Sequence, residues 1–309
     1  MQVFVTGGTG LVGRRLVARL SERGDQVMIL SRSTPDPKKF PANTTFFQGD
    51  PTQSGPWQAA LSACDAIVHL AGESIGGGRW RQKFKQRVLE SRVRSTTLIA
   101  DTLANLPDAA RRTFLSTSAV GYYGSYKNNP TEFIETDLPG HGFLADVCVA
   151  WEKAAEAAKQ AGVRVVHPRL GTVLSGKGGA LPQIAQPFQL RFGGVMGSGQ
   201  QWMSWIHLDD LIGLLLMALD CSELRGPINA TSPEPITNWG FSHTLANVLG
   251  KPCWFHVPAW MLRGVLGEMS ELVTHGQRVI PSIALKMNYP FRYPLLEPAL
   301  REIYSSEAR

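Results

Sequence analysis

The chain is poor in the features that define several large protein classes. The longest apolar run, residues 211–219, is too short to span a bilayer. An apolar strand pattern begins almost at residue 1, so we expect neither a signal peptide nor a membrane partner. Four widely separated cysteines form no C-x-x-C pair, and we therefore predict no metal site and no disulfide framework: Cys64, Cys148, Cys221 and Cys253. Reduced thiols are typical of a cytoplasmic protein.

Charged residues are also scarce, at 18% of the 309 residues, whereas 43% are hydrophobic. That content suffices for a large core, arranged as one elaborated α/β domain or as two domains. A net charge of +6 suits anionic ligands such as nucleotides. The basic residues within 79–87 alternate with Trp80, Phe84 and Val88 at helical spacing, which is typical of an amphipathic helix with a basic outer face. We therefore expect no nucleic-acid partner.

The most informative motif is TGGTGLVG at residues 6–13. It follows a short apolar run and precedes a helical pattern, and this order predicts a dinucleotide-binding turn rather than an ordinary glycine loop. Gly7 permits the tight turn, Gly10 lets the backbone reach a pyrophosphate, and Gly13 lets the helix pack against the strand. The helix N-terminus then offers free N–H groups to the phosphates.

The residues at the end of the second predicted strand, residues 26–30, indicate whether the dinucleotide is NAD or NADP. A site selective for NAD usually places Asp or Glu here, and none is present. Arg32 suits a 2′-phosphate because a guanidinium matches phosphate oxygens bidentately, and Ser31 adds a hydroxyl donor. We predict NADP(H) as the cofactor; the alternative is that Arg32 is a solvated surface residue.

Strand and helix patterns alternate through the first half of the chain. We predict further strands at residues 44–48, 66–70, 112–117 and 163–167, a helix within 80–106 and another at 143–160. This alternation predicts an α/β fold, a Rossmann-type doubly wound parallel sheet with a smaller C-terminal substrate lobe. Glycine-rich loops and shorter helical patterns follow residue 172. We therefore assign 1–172 to the NADP-binding domain and 173–309 to the lobe, with some segments returning to the Rossmann core.

Several motifs together resemble the extended short-chain dehydrogenase/reductases, and most closely their atypical branch, the epimerase family of SDR39U-type and YfcH-like proteins. The resemblance covers nearly the whole chain. It implies a Rossmann domain, a small C-terminal substrate lobe and NADP(H) as the ligand. The motifs are TGGTGLVG at 6–13, GD at 49–50, HLAGESI at 69–75, STSAVGYYG at 116–124, PRLGTVL at 168–174 and WIHLDDL at 205–211.

The resemblance also implies cofactor contacts. Arg92 falls where an extended enzyme usually carries asparagine, so it either faces the cofactor or lies on the helix surface. Asp50 corresponds to the acidic residue near the adenine. The remaining implied contacts are the phosphate turn at Gly7, Gly10, Leu11, Val12 and Gly13, the 2′-phosphate contacts Ser31 and Arg32, and the ribose loop at Leu70 and Ala71.

The catalytic signature of that superfamily is incomplete in this chain. Its working members use a Ser or Thr with a Tyr-x-x-x-Lys pair, because a phenol of pKa about 10 is a poor base at neutral pH without a nearby cation. Ser118 matches the serine. Alignment on residues 151–152 puts Leu144 and Cys148 at the pair, and a shift by two residues puts Gly142 and Asp146 there.

Three interpretations of this gap remain open. The first is an oxidoreductase or epimerase with substituted acid/base groups, the second an NADP(H)-binding protein without turnover, and the third catalysis through Cys148. Tyr122 and Tyr123 are alternatively packing residues, and the residues before the apolar run 211–219 favour a helix cap. The candidate substituted groups are Tyr122 or Tyr123 beside Ser118, Glu73 after the fourth strand, and His207 or Asp209.

We therefore predict an NADP(H)-dependent oxidoreductase or nucleotide-sugar epimerase-like protein. Hydride would pass between the nicotinamide and a hydroxyl or ketone carbon held near Ser118, with Tyr122 beside it. Family analogy suggests a small polar substrate such as a nucleotide sugar. The alternative is a non-catalytic NADP(H)-binding regulator or scaffold. A homodimer through the two long helices and a monomer both fit the pattern, and we expect a cytoplasmic protein.

Overall fold

The computed structural model describes residues 1–307. The strands are β1 (Gln2–Thr6), β2 (Gln26–Ser31), β3 (Thr44–Gln48), β4 (Ala66–His69), β5 (Thr113–Ser116), β6 (Ser118–Ala119), β7 (Glu132–Phe133), β8 (Arg164–Leu170), β9 (Thr172–Leu174), β10 (Gly194–Met196), β11 (Trp202–Met203), β12 (Trp205–His207), β13 (Gly226–Ala230), β14 (Ile236–Thr237), β15 (Phe255–Val257) and β16 (Arg278–Val279). The α-helices are α1 (Leu11–Glu22), α2 (Trp57–Ser62), α3 (Gln82–Ala104), α4 (Phe143–Lys153), α5 (Glu156–Gln160), α6 (Ala180–Gln189), α7 (Leu208–Asp220), α8 (Asn238–Leu249), α9 (Ala259–Leu266), α10 (Glu271–Thr274), α11 (Ser282–Lys286) and α12 (Leu296–Glu307).

A parallel sheet forms the centre of the molecule. Its strand order is β3-β2-β1-β4-β5-β8-β13, and the short β6 also pairs with β8. The chain winds outward from β1 in both directions, so the order reverses between β1 and β4. In an open α/β sheet, ligands bind at that reversal, beyond the carboxyl ends of the strands. The predicted Rossmann-type doubly wound sheet is confirmed.

Strand β1 is buried on both faces, as expected for a central parallel strand. Val3 and Val5 point into a core shared with α1 and α7, whereas Phe4 points into a core shared with α2, α3 and α5. Each of these side chains is fully shielded from solvent. Helices on both faces thus hold β1 rigidly, and the glycine turn that follows it starts from a fixed position.

The predicted helix at 143–160 is wrong in its continuity, because α4 and α5 are separate. The Ala154 N–H donates to the carbonyls of both Ala150 and Trp151, and the Ala155 N–H donates to Glu152 three residues back. These tighter bonds end α4 at Lys153. The break contains neither proline nor glycine, so the sequence carries no signal for it.

Strand β8 runs three residues beyond its predicted end, through Pro168. A proline normally interrupts a central strand because it cannot donate a hydrogen bond. Here β8 pairs with β5 as far as Val166 and resumes with β6 at Arg169. Pro168 lies at the gap between these two partners, where that side of the ladder needs no donor.

Segments after residue 172 contribute to two cores. Strand β13 pairs with β8 in the main sheet, and α7 packs against α1 in the first core. A separate core unites α6, α8, β12 and α12 around the buried Trp205 and Phe241. The division of the chain at 172/173 remains a prediction.

Helix α3 is amphipathic, as its sequence pattern indicates. Phe84 and Val88 are buried beside Trp80, while Arg81 and Lys83 are exposed. The interpretation of the basic run as the outer face of a packed helix is confirmed. Among residues 1–307, no helix combines the length and the apolar character needed to cross a bilayer.

Candidate nucleotide-binding and active site

The glycine turn between β1 and α1 is folded around the Gly7 carbonyl. Gly7 has φ +73°, and a Cβ there would lie 2.8 Å from the backbone nitrogen of Ala71. A Cβ on Gly13 would lie 2.2 Å from the Gly7 oxygen, which also accepts the Gly10 N–H at 3.0 Å. The turn therefore packs backbone against backbone, both on α1 and on the loop that follows β4.

The N-terminus of α1 is free to bind an anion. Its cap residue, Gly10, has no side chain to satisfy the first N–H groups, and the first turn contains no acidic residue. The N–H groups of Leu11, Val12 and Gly13 therefore point out of the helix with the positive end of its dipole. This donor set fits a pyrophosphate, which needs several N–H groups and close backbone approach.

A loop from the second half of the chain lies against this turn. Gly178 and Gly179 both have positive φ, and a Cβ on Gly179 would lie 3.2 Å from the Leu11 side chain. Lys177, which directly precedes these two glycines, is exposed. Sequence reasoning identified the loop as glycine-rich but missed this contact, because about 165 residues separate its two sides.

The end of β2 carries the expected cation. Ser31 is the last residue of β2, and Arg32 follows it with an exposed side chain. The Asp50 carboxylate accepts bonds from the Thr52 N–H and hydroxyl at 2.8 and 2.7 Å, which closes the turn after β3. The corner thus offers a guanidinium and a hydroxyl, as a 2′-phosphate requires.

His69 fixes the opposite wall of the crevice. Its fully buried ring lies 2.6 Å from the Thr6 hydroxyl and 2.9 Å from the Ser95 hydroxyl. Burial, with a smaller effect of the Arg92 charge, lowers the pKa of His69 to about 3, so the ring is neutral. This cluster ties β1, β4 and α3 together and positions Leu70 and Ala71 beside Gly7.

Ser118 lies at the expected position beyond β5, and it is 2% exposed. Among the described residues its Oγ makes no hydrogen bond of ordinary geometry, and the Cys148 thiol lies against it as a weak sulfur partner. A Cβ on the neighbouring Gly121 would lie 3.2 Å from Leu144 Cβ and 3.7 Å from Cys148 Sγ. The face of α4 that carries Leu144 and Cys148 therefore packs against the Ser118 segment, as the alignment on 151–152 predicts.

Neither α4 residue reproduces the tyrosine or the lysine of the catalytic pattern. Leu144 has no ionisable group. Burial raises the pKa of the Cys148 thiol to about 11, so the thiol is protonated at neutral pH. Burial therefore disfavours the thiolate, which is the reactive form, and catalysis through Cys148 remains an untested prediction.

The two tyrosines pack around Arg169. The guanidinium lies 3.4 Å from the centre of the Tyr122 ring and donates to the Tyr123 hydroxyl at 2.9 Å. Tyr123 is fully buried, donates to Asn229 Oδ1 at 2.7 Å, and has its pKa raised to about 12 by burial. Tyr123 is therefore a packing residue, and a catalytic role for Tyr122 remains a prediction.

Glu152 forms a bidentate ion pair with Arg169 at 2.8 and 2.9 Å. The Arg169 and Glu152 side chains are only 3% and 14% exposed. The pair joins α4 to β8 directly behind Ser118. Glu152 is also the residue used to align this helix with the Tyr-x-x-x-Lys pattern.

The remaining acid–base candidates have structural partners. His207 Nδ1 accepts the Asp209 N–H at 3.2 Å and caps α7, and Nε2 lies 3.1 Å from Glu302. Asp209 accepts from Arg15 at 2.7 Å. Glu73 forms an ion pair with Arg87 at 3.5 Å. The helix-cap interpretation of His207 is confirmed.

Arg92 is not a surface arginine of α3. Its guanidinium lies 5.0 Å from the centre of the Trp151 ring, and its Nη1 donates to the Val88 carbonyl at 3.0 Å. A Cβ on Gly72 would lie 3.2 Å from its Cζ. Arg92 thus fills the space between the loop after β4 and helix α4.

Comparisons with known proteins agree with this geometry. The model of the NAD dependent epimerase/dehydratase family matches residues 3–229, and a domain of unknown function, DUF1731, matches residues 257–303. An Arabidopsis thaliana protein described as a chloroplastic homologue of epimerase family protein SDR39U1 is 40% identical over 98% of this chain and 86% of its own length.

Solved structures give the same result. The human epimerase family protein SDR39U1 crystallised with NADPH is 31% identical, with a TM-score of 0.84 and 99% of each chain covered. Thermus thermophilus UDP-glucose 4-epimerase in complex with NAD shares the fold at 16% identity, with a TM-score of 0.79 over 99% of each chain. The uncapped helix, the glycine turn and these similarities converge: the chain belongs to the NAD dependent epimerase/dehydratase family, among its SDR39U1-type epimerase family proteins.

Proposed function

We propose that this protein binds NADP(H) across the carboxyl ends of β1, β2 and β4. The observation that carries this proposal is the uncapped N-terminus of α1 behind the glycine turn, with Arg32 and no acidic side chain at the end of β2. The similar human protein was crystallised with NADPH. Its 31% identity over nearly the whole chain supports the same ligand here.

The proposed cofactor contacts are supported by the position of each element. Gly7, Gly10, Leu11, Val12 and Gly13 surround the pyrophosphate. Ser31 and Arg32 bind the 2′-phosphate. Asp50 lies near the adenine, Leu70 and Ala71 border the adenosine ribose, and Arg92 lies toward the nicotinamide half.

We further propose an oxidoreductase or epimerase-like reaction at Ser118. When bound, the nicotinamide supplies or accepts hydride. In this proposal the Ser118 hydroxyl, which has only the weak Cys148 thiol against it, donates to the substrate oxygen and orients the reacting carbon. Tyr122 is the second group that we assign to this reaction. A small polar substrate such as a nucleotide sugar is the class that the fold suggests, because UDP-glucose 4-epimerase shares it.

A second function, NADP(H) binding without turnover, is favoured by one observation. The two α4 positions that pack against the Ser118 segment are Leu144 and Cys148, a leucine with no ionisable group and a thiol whose pKa burial raises, in place of the tyrosine and lysine of the pattern. In that case the protein reports or buffers the dinucleotide as a regulator or scaffold.

Fluorescence titration with NADPH and NADH tests the cofactor assignment. Arg32→Gln removes a charge-assisted contact to the 2′-phosphate. We expect this variant to bind NADPH about 10- to 100-fold more weakly than the wild type and NADH with unchanged affinity. Arg94→Gln, an exposed arginine on α3, is the matched control. An unchanged NADPH/NADH ratio in Arg32→Gln would overturn the 2′-phosphate assignment.

Turnover distinguishes the two functions. NADPH oxidation is measured against sugar nucleotides and carbonyl compounds, with Ser118→Ala as the test variant. Activity that disappears in Ser118→Ala while NADPH binding persists supports the enzyme. Tight NADPH binding with no oxidation of any compound supports the regulator.

A further inference from the structure

Arg92 differs from the neighbouring arginines of α3 in its partners. Arg87 pairs with Glu73, and Arg94 pairs with Glu90. The Arg87 and Arg94 side chains are 60% and 64% exposed. Arg92 is half-buried, and among the side chains that the structure describes, residues 1–305, no carboxylate lies within 4 Å of its guanidinium; Glu73, paired with Arg87, acts on it only at longer range. Its Nη1 donates a hydrogen bond to the Val88 carbonyl on the same helix. A guanidinium has five N–H donors, so most of its donating capacity is unused.

The location of Arg92 is set by three elements. Leu144, Cys148 and Trp151 lie on one face of α4, at spacings of four and three residues. Gly121 contacts the first two, and the Arg92 guanidinium lies over the third. Gly72, which follows β4 by three residues, leaves room for the guanidinium from the other side. Arg92 therefore reaches the part of the crevice where α4 approaches Ser118.

The charge of Arg92 acts at the position that lacks a lysine. Its electrostatic effect on the Cys148 thiol opposes the rise of that pKa caused by burial. A positive charge beside residue 148 is what the missing Tyr-x-x-x-Lys pair would have provided. Here the charge comes from a different helix.

We propose that Arg92 is the fixed cation of the site and donates to the hydroxyls of the nicotinamide ribose, in place of the absent lysine. This inference rests on the proposed NADP(H) function. The planar guanidinium is held by Trp151 on one face and by Gly72 nearby, so its orientation is fixed before the dinucleotide binds. Arg92 is a positioning residue rather than an acid, because an arginine does not release its proton in proteins.

The test compares NADPH with a ligand that lacks its nicotinamide half. NADPH contains the nicotinamide ribose, whereas adenosine 2′,5′-bisphosphate contains only the adenine end with its phosphates. Arg92→Gln is expected to weaken NADPH binding at least tenfold and to leave the bisphosphate affinity within twofold of wild type. Arg32→Gln is expected to weaken both, and the control Arg94→Gln neither.

A second variant tests the same contact without removing the charge. Gly72→Ala places a methyl group 3.2 Å from Arg92 Cζ, so the guanidinium must shift by a few tenths of an ångström, and NADPH affinity should fall by less than in Arg92→Gln with the bisphosphate affinity unchanged. Arg92→Lys retains the charge and should recover part of the affinity that Arg92→Gln loses.

Two results would overturn this role for Arg92 alone. One is wild-type NADPH affinity in Arg92→Gln, and the other is an equal loss for both ligands, which would indicate a purely structural residue. A wild-type protein that binds neither ligand would overturn the proposed NADP(H) function as well. These outcomes separate the two proposals.

Discussion

Gly13 offers the sharpest test of the turn geometry, because two opposing effects act on Gly13→Ala. Alanine in a helix is favoured over glycine by about 1 kcal/mol. The new Cβ would lie 2.2 Å from the Gly7 oxygen, a backbone atom that no rotamer change can move away. Overpacking of this kind costs about 1–3 kcal/mol. The clash should win, so we expect Gly13→Ala to unfold at lower urea concentration and to lose NADPH binding.

Gly10→Ala is the matched control three residues earlier. Gly10 has φ −78°, which alanine adopts freely, and its Cβ would lie 3.3 Å from the Gly7 oxygen. Alanine is a poorer N-cap than glycine, so this variant should lose about 1 kcal/mol of stability, less than Gly13→Ala. It should bind NADPH weakly, because its methyl group has no protein atom except the Gly7 oxygen within 4 Å and points to the side where we place the pyrophosphate. Gly13→Ala with unchanged or increased stability would refute the packing argument. Gly10→Ala with wild-type NADPH affinity would refute the placement of the phosphates.

Two further predictions concern stability. Glu152→Ala leaves the buried Arg169 guanidinium without its carboxylate and should lower the free energy of unfolding, measured by urea denaturation, by about 3–5 kcal/mol. The control Glu156→Ala removes an exposed carboxylate and should change that free energy by less than about 0.5 kcal/mol. Equal effects of the two substitutions would contradict the buried ion pair. The pKa of folded His69, about 3, lies below its unfolded value, so the unfolded state binds the proton more readily and stability should fall as pH decreases below about 6.5. Thermal unfolding of wild type and His69→Gln between pH 7 and pH 5 measures this, and the same pH dependence in both proteins would contradict a neutral buried ring.

The fold could be predicted to a large extent because its signals are local. Parallel strands in the interior of a sheet appear as short apolar runs, and β2 to β5 lie within one residue of their predicted ends. The break between α4 and α5 could not be predicted, since its alanines favour helix and only hydrogen bonds in the folded chain interrupt it. The extension of β8 through Pro168 depends on which strands lie beside it, and that information is not local.

The site divides in the same way. The glycine turn and Arg32 are recognised from sequence because each glycine has a steric role within a few residues of its neighbours. The partners of Arg92 and Arg169 come from distant segments, so sequence spacing alone leaves a surface or a buried position equally open. Tyr123 looked equivalent to Tyr122 until its bond to Asn229, 106 residues away, identified it as a packing residue.

The Glu152–Arg169 pair has a consequence for how such proteins are recognised. In extended members a glutamate follows the Tyr-x-x-x-Lys pair. Here Glu152 forms an ion pair that holds α4 against the sheet, whether or not a tyrosine and a lysine precede it. The position of α4 therefore does not depend on a tyrosine at 144 or a lysine at 148. A superposition of backbones groups this chain with the epimerases that share its fold, and the side chains at 144 and 148 are where it departs from the Tyr-x-x-x-Lys pattern.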